Sequence, residues 1–275
     1  PELDFVQIND PAGDAATHAH LLNFDSIHGR WQHEAGSDGD CLVIDGQRVK
    51  VSANKAISET DWSGCDLVIE ASGKMKTVAV LQQYLEQGVK RVVVSAPVKE
   101  PGALNIVMGV NDSLFDPAQH RIVTAASCTT NCLAPLAKAL DQGIGIEHGQ
   151  MTTIHAYTGD QPTHDTCHKD LYRARAASVS MIPTSTGAAK AISEVLPHLK
   201  GRLEGSAIRV PTPNVSLVDL SFVPERPATA EAINQAIQSA AEGELADILA
   251  YEEDPMVSID FNHDPHSSCF AAAQT

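Results

Sequence analysis

One run of residues constrains the fold more than any other: Ala126-Ser127-Cys128-Thr129-Thr130-Asn131-Cys132. An apolar, β-like segment, Arg121-Ile122-Val123-Thr124-Ala125, leads into it. A helical pattern, Leu133 to Leu140, leaves it and stops at Gly143. A strand that hands a cysteine to the first turn of a helix puts the thiol beside free backbone N–H groups and the positive end of the helix dipole. Both favour the thiolate, the nucleophilic form. A second strand-like run, Met151-Thr152-Thr153-Ile154, ends at His155. A cysteine with a histidine elsewhere in the chain is the minimum set for an activated thiol nucleophile. The alternative is a buried structural thiol and a hydrogen-bonded histidine, since free cysteine is among the most buried residue types.

The rest of the chain supplies the scaffold. At 275 residues it fits roughly two domains of ~100–200 residues each. Asp66-Leu67-Val68-Ile69-Glu70-Ala71, Arg91 to Val94, Asn105 to Val110 and Arg121 to Ala125 read as apolar strands, with a helical segment at 75–86. Such alternation predicts a mostly parallel sheet with helices on both faces. Leu3 to Ile8 reads as a short strand, 15–24 as a helix, and 41–44 and 48–51 as a hairpin about Asp45-Gly46. Asp10, Ser72-Gly73 and Ser95-Ala96 follow strands, where a dinucleotide crosses the carboxyl edge of such a sheet; ordinary turn chemistry explains the same residues.

After Cys128 the pattern turns to α+β. It shows a strand at 149–156, a long polar stretch at 157–180, a helix at 187–196 and alternating strands within 206–223. A helix at 230–241 capped by Thr229 and a strand Met256–Asp260 follow. Thr158, Arg173, Arg175, the run Thr184-Ser185-Thr186-Gly187 and Arg209 are candidate anion binders, with helix capping and surface arginines as the alternative.

A formal charge of −16 argues against nucleic acid and anionic membrane surfaces as partners. No apolar run approaches the ~18 residues of a membrane span. The first residues carry no basic region followed by an apolar one, so no signal peptide is expected. Six cysteines without a CxxC spacing read as reduced thiols of a cytoplasmic protein. Cys128 and Cys132 lie four apart but have no nearby histidine or acidic ligand, so no metal site is expected.

Four ordered segments carry a family resemblance. Ser127 to Pro135, His155, Ile182-Pro183-Thr184-Ser185-Thr186-Gly187-Ala188-Ala189-Lys190-Ala191 and Arg209-Val210-Pro211-Thr212-Pro213-Asn214-Val215-Ser216 closely resemble phosphorylating glyceraldehyde-3-phosphate dehydrogenase. The similarity runs from about residue 3 to the end. It implies an α/β protein with a Rossmann-type, doubly wound parallel sheet over 1–127 and an α+β catalytic domain with a mixed sheet over 128–275. It also implies a homotetramer.

By this resemblance Cys128 attacks the aldehyde of glyceraldehyde 3-phosphate, and His155 activates the thiol and takes the hydroxyl proton. Inorganic phosphate then splits the thioester. Thr158, Arg173 and Arg209 hold the substrate's phosphate, while Ser127, Thr129, Thr186 and Gly187 line the site of the attacking phosphate. Asp10, Ser72, Gly73, Ser95 and Ala96 contact NAD.

The resemblance also has departures. Both ends read as cut: the first strand and the glycine fingerprint are expected upstream of residue 1, and a closing segment beyond residue 275. The stretch alone is therefore expected to bind the cofactor poorly. Asp10 should repel a 2′-phosphate and favours NAD, whereas Thr166-Cys167 resembles forms that accept NADP. Pro11-Ala12-Gly13, Lys55-Ala56-Ile57 and Glu70 to Lys76 resemble a branch associated with arsenical resistance, in which arsenate replaces phosphate as the attacking anion. The alternatives of other classes are an inactive fragment acting as a binding or assembly partner, and a dehydrogenase acting on a semialdehyde or erythrose 4-phosphate.

Overall fold

The computed structural model describes residues 3–275, so Pro1 and Glu2 lie outside the described residues. The chain divides into two compact units. The first takes the chain as far as Leu104 together with Asp116–Ala125, and the second takes Asn105–Phe115 and Ala126–Thr275.

In the first unit the strands form two principal sheets. One has the order Gln7–Asn9, Gln47–Ser52, Cys41–Ile44, Ala35–Asp38. Its first pair is parallel and the others antiparallel. The hairpin expected at Asp45-Gly46 is present. Both turn residues have positive φ, 48° and 86°, which matches the right-handed twist of the flanking strands. The helix Ala15–Asn23 covers this sheet, and Asp14 caps it by accepting from the Thr17 N–H at 2.8 Å.

The other sheet sets Leu67–Glu70, Arg91–Val94 and Ile122–Thr124 side by side in parallel. Parallel neighbours need a crossover, and the helix Val78–Glu86 supplies the first one. Leu81, Tyr84 and Leu85 of that helix pack with Val68, Val92 and Val94 of the sheet in one apolar cluster. The parallel strands expected as one sheet thus fall in two. Among the described residues, Gln7–Asn9 and Leu67–Glu70 each pair with a single neighbour, and neither pairs with the other.

The second unit is built on a mixed sheet ordered Ile182–Thr184, Leu203–Val210, Ile146–Ala156, Leu217–Pro224. Ile146–Ala156 runs parallel to one neighbour and antiparallel to the other. The long helix Cys128–Gly143 packs on one face, together with Ala188–Val195 and Ala230–Ala241. Leu133, Leu140, Ile146, Met151, Ile192, Ile237 and Leu245 form the core between these layers. Along Leu217–Pro224 the period-two pattern is regular. Val218, Leu220 and Phe222 pack on the core, while Leu217, Asp219, Ser221 and Val223 face away and are exposed.

Three expected strands change. Regular pairing near the start covers Gln7–Asn9, not Leu3–Ile8. Of Asn105–Val110 only the first residue is in a strand, Leu104–Asn105. The buried Asn111 side chain takes the place of a ladder there, accepting from the Val107 N–H and donating to the Asn105 carbonyl. Met256–Asp260 is not a strand: the Asp260 carboxylate accepts from the Val257 N–H at 2.8 Å and folds Ser258–Phe261 into a 3-10 turn.

Leu133 is fully buried where the Cys128 helix meets the core. Truncating it to Ala is expected to cost about 2–5 kcal/mol. A urea titration followed by circular dichroism measures that cost, and a loss under 1 kcal/mol (about a fivefold change in the unfolding constant) contradicts the packing described.

Candidate active site

The site is assembled in the second unit from two strand ends and one helix start. Ala126, buried and at φ 55°, makes the corner between strand and helix, a conformation that costs an L-residue energy. Ser127 is the N-cap, its Oγ accepting from the Thr130 N–H at 3.1 Å. Cys128 is therefore the first residue of the helix, and its side chain stays open to solvent. The helix continues through Pro135 and ends at Gly143, where the sequence pattern stops.

His155 lies near the end of Ile146–Ala156 and is buried. Its Nε2 stands 3.3 Å from Cys128 Sγ. The hydrogen bond with His155 is the main force lowering the Cys128 thiol to about 7. Burial opposes the shift, and Thr129 adds smaller side-chain and backbone contributions. Cys132, one turn along the same helix, behaves oppositely. It is half-buried, desolvation raises its thiol, and Ser268 is its hydrogen-bond neighbour at 3.7 Å. Two cysteines of one helix are thus separated in reactivity by environment.

Arg209 faces His155 directly across the parallel pairing of Ile146–Ala156 with Leu203–Val210. Its Nη1 lies 2.7 Å from His155 Nδ1 and donates to the Ala156 carbonyl at 2.8 Å. Ser216 Oγ lies 3.1 Å from the same Nδ1 and accepts from the Ala156 N–H at 3.1 Å. Val215, at φ 60°, forms the turn that aims Ser216 inward; a β-branched residue there is a backbone outlier. The Arg209 guanidinium is pushed down first by burial and then by Arg173, while Cys128 and Asp160 oppose the shift.

A second group of anion binders gathers nearby in the same unit. Arg173 pairs with Asp160 at 2.5 Å and donates to Thr184 Oγ1 at 2.9 Å. Thr158 gives both its N–H and its hydroxyl to Gln161 Oε1, at 2.9 and 3.1 Å. Thr186 Oγ1 accepts from the Ala188 N–H, and Gly187 is the N-cap of Ala188–Val195 without a side-chain cap, which leaves helix N–H groups free. Thr186 and Gly187 are not part of the bonded chain Cys128–His155–Arg209. Ser216, the Ala156 carbonyl, Asp160 and Gln161 had no signal of their own in the sequence. Arg175, the other arginine of the polar loop, instead pairs with Asp165 at 2.9 Å on the surface.

The dinucleotide candidates sit in the first unit at carboxyl ends of parallel strands. Asp10 follows Gln7–Asn9, its N–H donating to Ser52 O at 2.9 Å and its Oδ1 accepting from the Ala12 N–H at 2.8 Å. Glu70, buried, organises the next two. Its carboxylate accepts from the Ser72 N–H and from the Tyr84 hydroxyl, and its carbonyl accepts from the Ser95 N–H at 2.9 Å. Gly73 has φ +69° with open space where a Cβ would stand, and Ala96 packs on the apolar cluster behind. A carboxylate able to accept ribose hydroxyls, and small residues that let a backbone approach, fit a dinucleotide.

Together these features define a class: an α/β protein with an acidified thiol, a histidine partner and clustered cations. The comparisons agree. The model for the glyceraldehyde 3-phosphate dehydrogenase C-terminal domain matches residues 127–275, and that for the family's NAD binding domain matches residues 1–78. Glyceraldehyde-3-phosphate dehydrogenase 3 of Nostoc sp. is 52% identical over the whole of this chain and 82% of its own length. The Cereibacter sphaeroides glyceraldehyde-3-phosphate dehydrogenase is 53% identical over the whole chain and 81% of its own. Glyceraldehyde-3-phosphate dehydrogenase 1 of Bacillus subtilis is 49% identical over the whole chain and 82% of its own. The chain belongs to the glyceraldehyde 3-phosphate dehydrogenase family, and its cofactor is NAD.

The thiolate fraction of Cys128 rises with pH through about 7. Alkylation by iodoacetamide should follow that curve. In His155→Asn the midpoint should move toward the ordinary thiol value of about 8.5, with alkylation at pH 7 slowed about tenfold or more. An unchanged profile in the variant contradicts the assigned pairing.

Proposed function

We propose that Cys128 and His155 carry the NAD-dependent oxidative phosphorylation of glyceraldehyde 3-phosphate to 1,3-bisphosphoglycerate. The observation that carries this reading is the 3.3 Å approach of His155 Nε2 to a Cys128 thiol lowered to about 7. The Cys128 sulfur attacks the aldehyde carbon, forming a C–S bond and a hemithioacetal. His155 Nε2 accepts the hemithioacetal hydroxyl proton as that carbon is oxidised to the thioester level. NAD, when bound, supplies the hydride acceptor. An oxygen of inorganic phosphate then attacks the thioester carbonyl, the C–S bond breaks, and the sulfur leaves as the thiolate that the His155 contact stabilises.

Arg209, Arg173 and Thr158 would hold the substrate's phosphate, since guanidinium groups and hydroxyls match its oxygens. Arg173 is held in place for this by Asp160 and Thr184. Ser127, Thr129, Thr186 and Gly187 would line the site of the attacking phosphate, supported by the uncapped helix start at Gly187. A site of this donor chemistry accepts tetrahedral oxyanions of similar size, so arsenate is assigned as a second acceptor. Asp10, Ser72, Gly73, Ser95 and Ala96 would contact NAD. The Asp10 carboxylate disfavours the extra phosphate of NADP, while Thr166-Cys167 leaves NADP as a second cofactor. A boundary at residues 127/128 between a dinucleotide-binding domain and a catalytic domain belongs to the same reading.

The assembly assigned is a homotetramer. The exposed Leu217 and Val223, on the uncovered face of the mixed sheet beside Gln150, Glu204 and Ser221, support self-association there. Six free thiols support a reducing compartment, the cytoplasm. No helix among the described residues is long and apolar enough to cross a membrane.

Sustained NADH formation from glyceraldehyde 3-phosphate, beyond one equivalent per chain, should require phosphate or arsenate, and all of it should vanish in Cys128→Ser. Arg173→Leu should raise KM for the triose phosphate about tenfold or more, as loss of a charge-assisted phosphate contact of about 1.5–3 kcal/mol implies. Multiple turnovers with neither phosphate nor arsenate present, or full activity in Cys128→Ser, overturns the reading.

A further inference from the structure

A buried glutamine lies behind the groups assigned to the substrate's phosphate. Gln161 is 6% exposed, and its Oε1 accepts twice from one residue, the Thr158 N–H at 2.9 Å and the Thr158 hydroxyl at 3.1 Å. The Gln161 N–H returns a bond to the Thr158 carbonyl at 2.9 Å, so residues 158–161 close into a stapled turn. The amide of Gln161 fits only one way round: its oxygen faces two donors, and its nitrogen faces Asp160 Oδ2 at 3.5 Å. The same Asp160 oxygen pairs with Arg173. Pro162 disfavours a helical backbone at Gln161. The Pro162 carbonyl accepts from the N–H of buried Ala177 at 3.0 Å, which ties this end of the turn to the rest of the polar loop. Thr158, at the other end, is exposed.

The arrangement sets a condition on phosphate binding. Phosphate oxygens accept, and a phosphate monoester is mostly dianionic above about pH 6. Thr158 has one hydroxyl proton, and Gln161 holds it. The hydroxyl must therefore turn before it can donate to an arriving phosphate. Turning exchanges a neutral hydrogen bond for a charge-assisted one, which is about twice as strong. It leaves no buried acceptor empty, because Oε1 keeps the Thr158 N–H. That N–H bond is common to both states and fixes where Thr158 stands. Removing the acceptor would free the hydroxyl from one neutral bond but would leave its position unspecified, and the second effect is the larger.

We propose that Gln161 is a positioning residue that sets the preference for a phosphorylated aldehyde. It holds Thr158 in place through the N–H bond and lends its oxygen to the hydroxyl until a phosphate arrives. No covalent bond is made or broken; one hydroxyl proton changes the acceptor it points to. Gln161 acts on the substrate through Thr158, so this rests on the assignment of Thr158 to the substrate's phosphate above.

The test is a double-mutant cycle on the full chain, Gln161→Met with Thr158→Val, read with glyceraldehyde 3-phosphate and with glyceraldehyde, which lacks the phosphate. Gln161→Met should raise KM for the triose phosphate about fivefold, with kcat changed less than about twofold and kcat/KM for glyceraldehyde unchanged. Thr158→Val should raise the same KM about tenfold or more. Adding Gln161→Met to Thr158→Val should cost less than about a further twofold, because the group being positioned is gone. Isothermal titration with glycerol 3-phosphate, which carries the phosphate but no aldehyde, should reproduce this pattern in Kd without turnover. Amide exchange on the wild type needs no variant. There the Thr158 N–H should stay protected about tenfold or more over an unstructured chain, both free and with glycerol 3-phosphate bound. An unchanged or lowered triose-phosphate KM in Gln161→Met, additive effects in the double variant, equal losses toward both aldehydes, or an unprotected Thr158 amide overturns the role of Gln161 and leaves Thr158 assigned to phosphate. No effect of Thr158→Val on either phosphate-bearing ligand overturns the Thr158 assignment itself, and the role of Gln161 with it.

Discussion

Everything chemical in this molecule depends on one contact, His155 Nε2 against Cys128 Sγ at 3.3 Å. Neither residue is special alone. The sulfur is useful because Ser127 caps the helix, so that Cys128 falls in the first turn and not on a strand or a loop. The imidazole is useful because it lies near the end of an eleven-residue strand whose neighbour places Arg209 directly opposite. A register slip of one residue along that parallel pair would send Arg209 to the other face of the sheet. The core of Leu133, Met151 and Ile192 is what fixes helix and strand against each other.

The electrostatics of the site run against those of the chain. A protein of formal charge −16 concentrates Arg173 and Arg209 beside a thiol that is losing its proton. Asp160 holds Arg173 in its ion pair. Surrounding acidity with local cations favours phosphate at this spot over the rest of the surface. Cys132 shows how local the effect is: one helical turn away, desolvation is the largest influence and raises the thiol.

Much of this was legible in the sequence because it rests on residue types with few alternative uses. A cysteine after an apolar strand and before a helix, and a histidine ending another, could be read from pattern alone. The anion-binding and dinucleotide roles came from the resemblance, since isolated arginines and small residues after strands have ordinary uses as well. Ser216 stood in a segment of the resemblance but had no role assigned, because its place follows from the strained backbone of Val215, which a valine does not announce. The Ala156 carbonyl has no sequence signature at all. Buried Glu70, which ties Ser72 to Ser95 and Tyr84, read as part of a strand and of one segment of the resemblance, with no organising role. Asn105–Val110 looked like a strand because it is a short apolar run, of which only Val107 is fully buried. The Asn111 side chain takes its backbone groups instead.

The central claim is that Cys128 carries the acyl group between oxidation and transfer to phosphate. It is tested most directly by mixing the protein with glyceraldehyde 3-phosphate and NAD in phosphate-free buffer, quenching in acid and measuring the intact mass. The account predicts one phosphoglyceroyl adduct per chain, located on the Cys128 peptide, formed with one equivalent of NADH and discharged when phosphate is added. NADH formed without an adduct, or an adduct on another residue that phosphate discharges equally well, would contradict it.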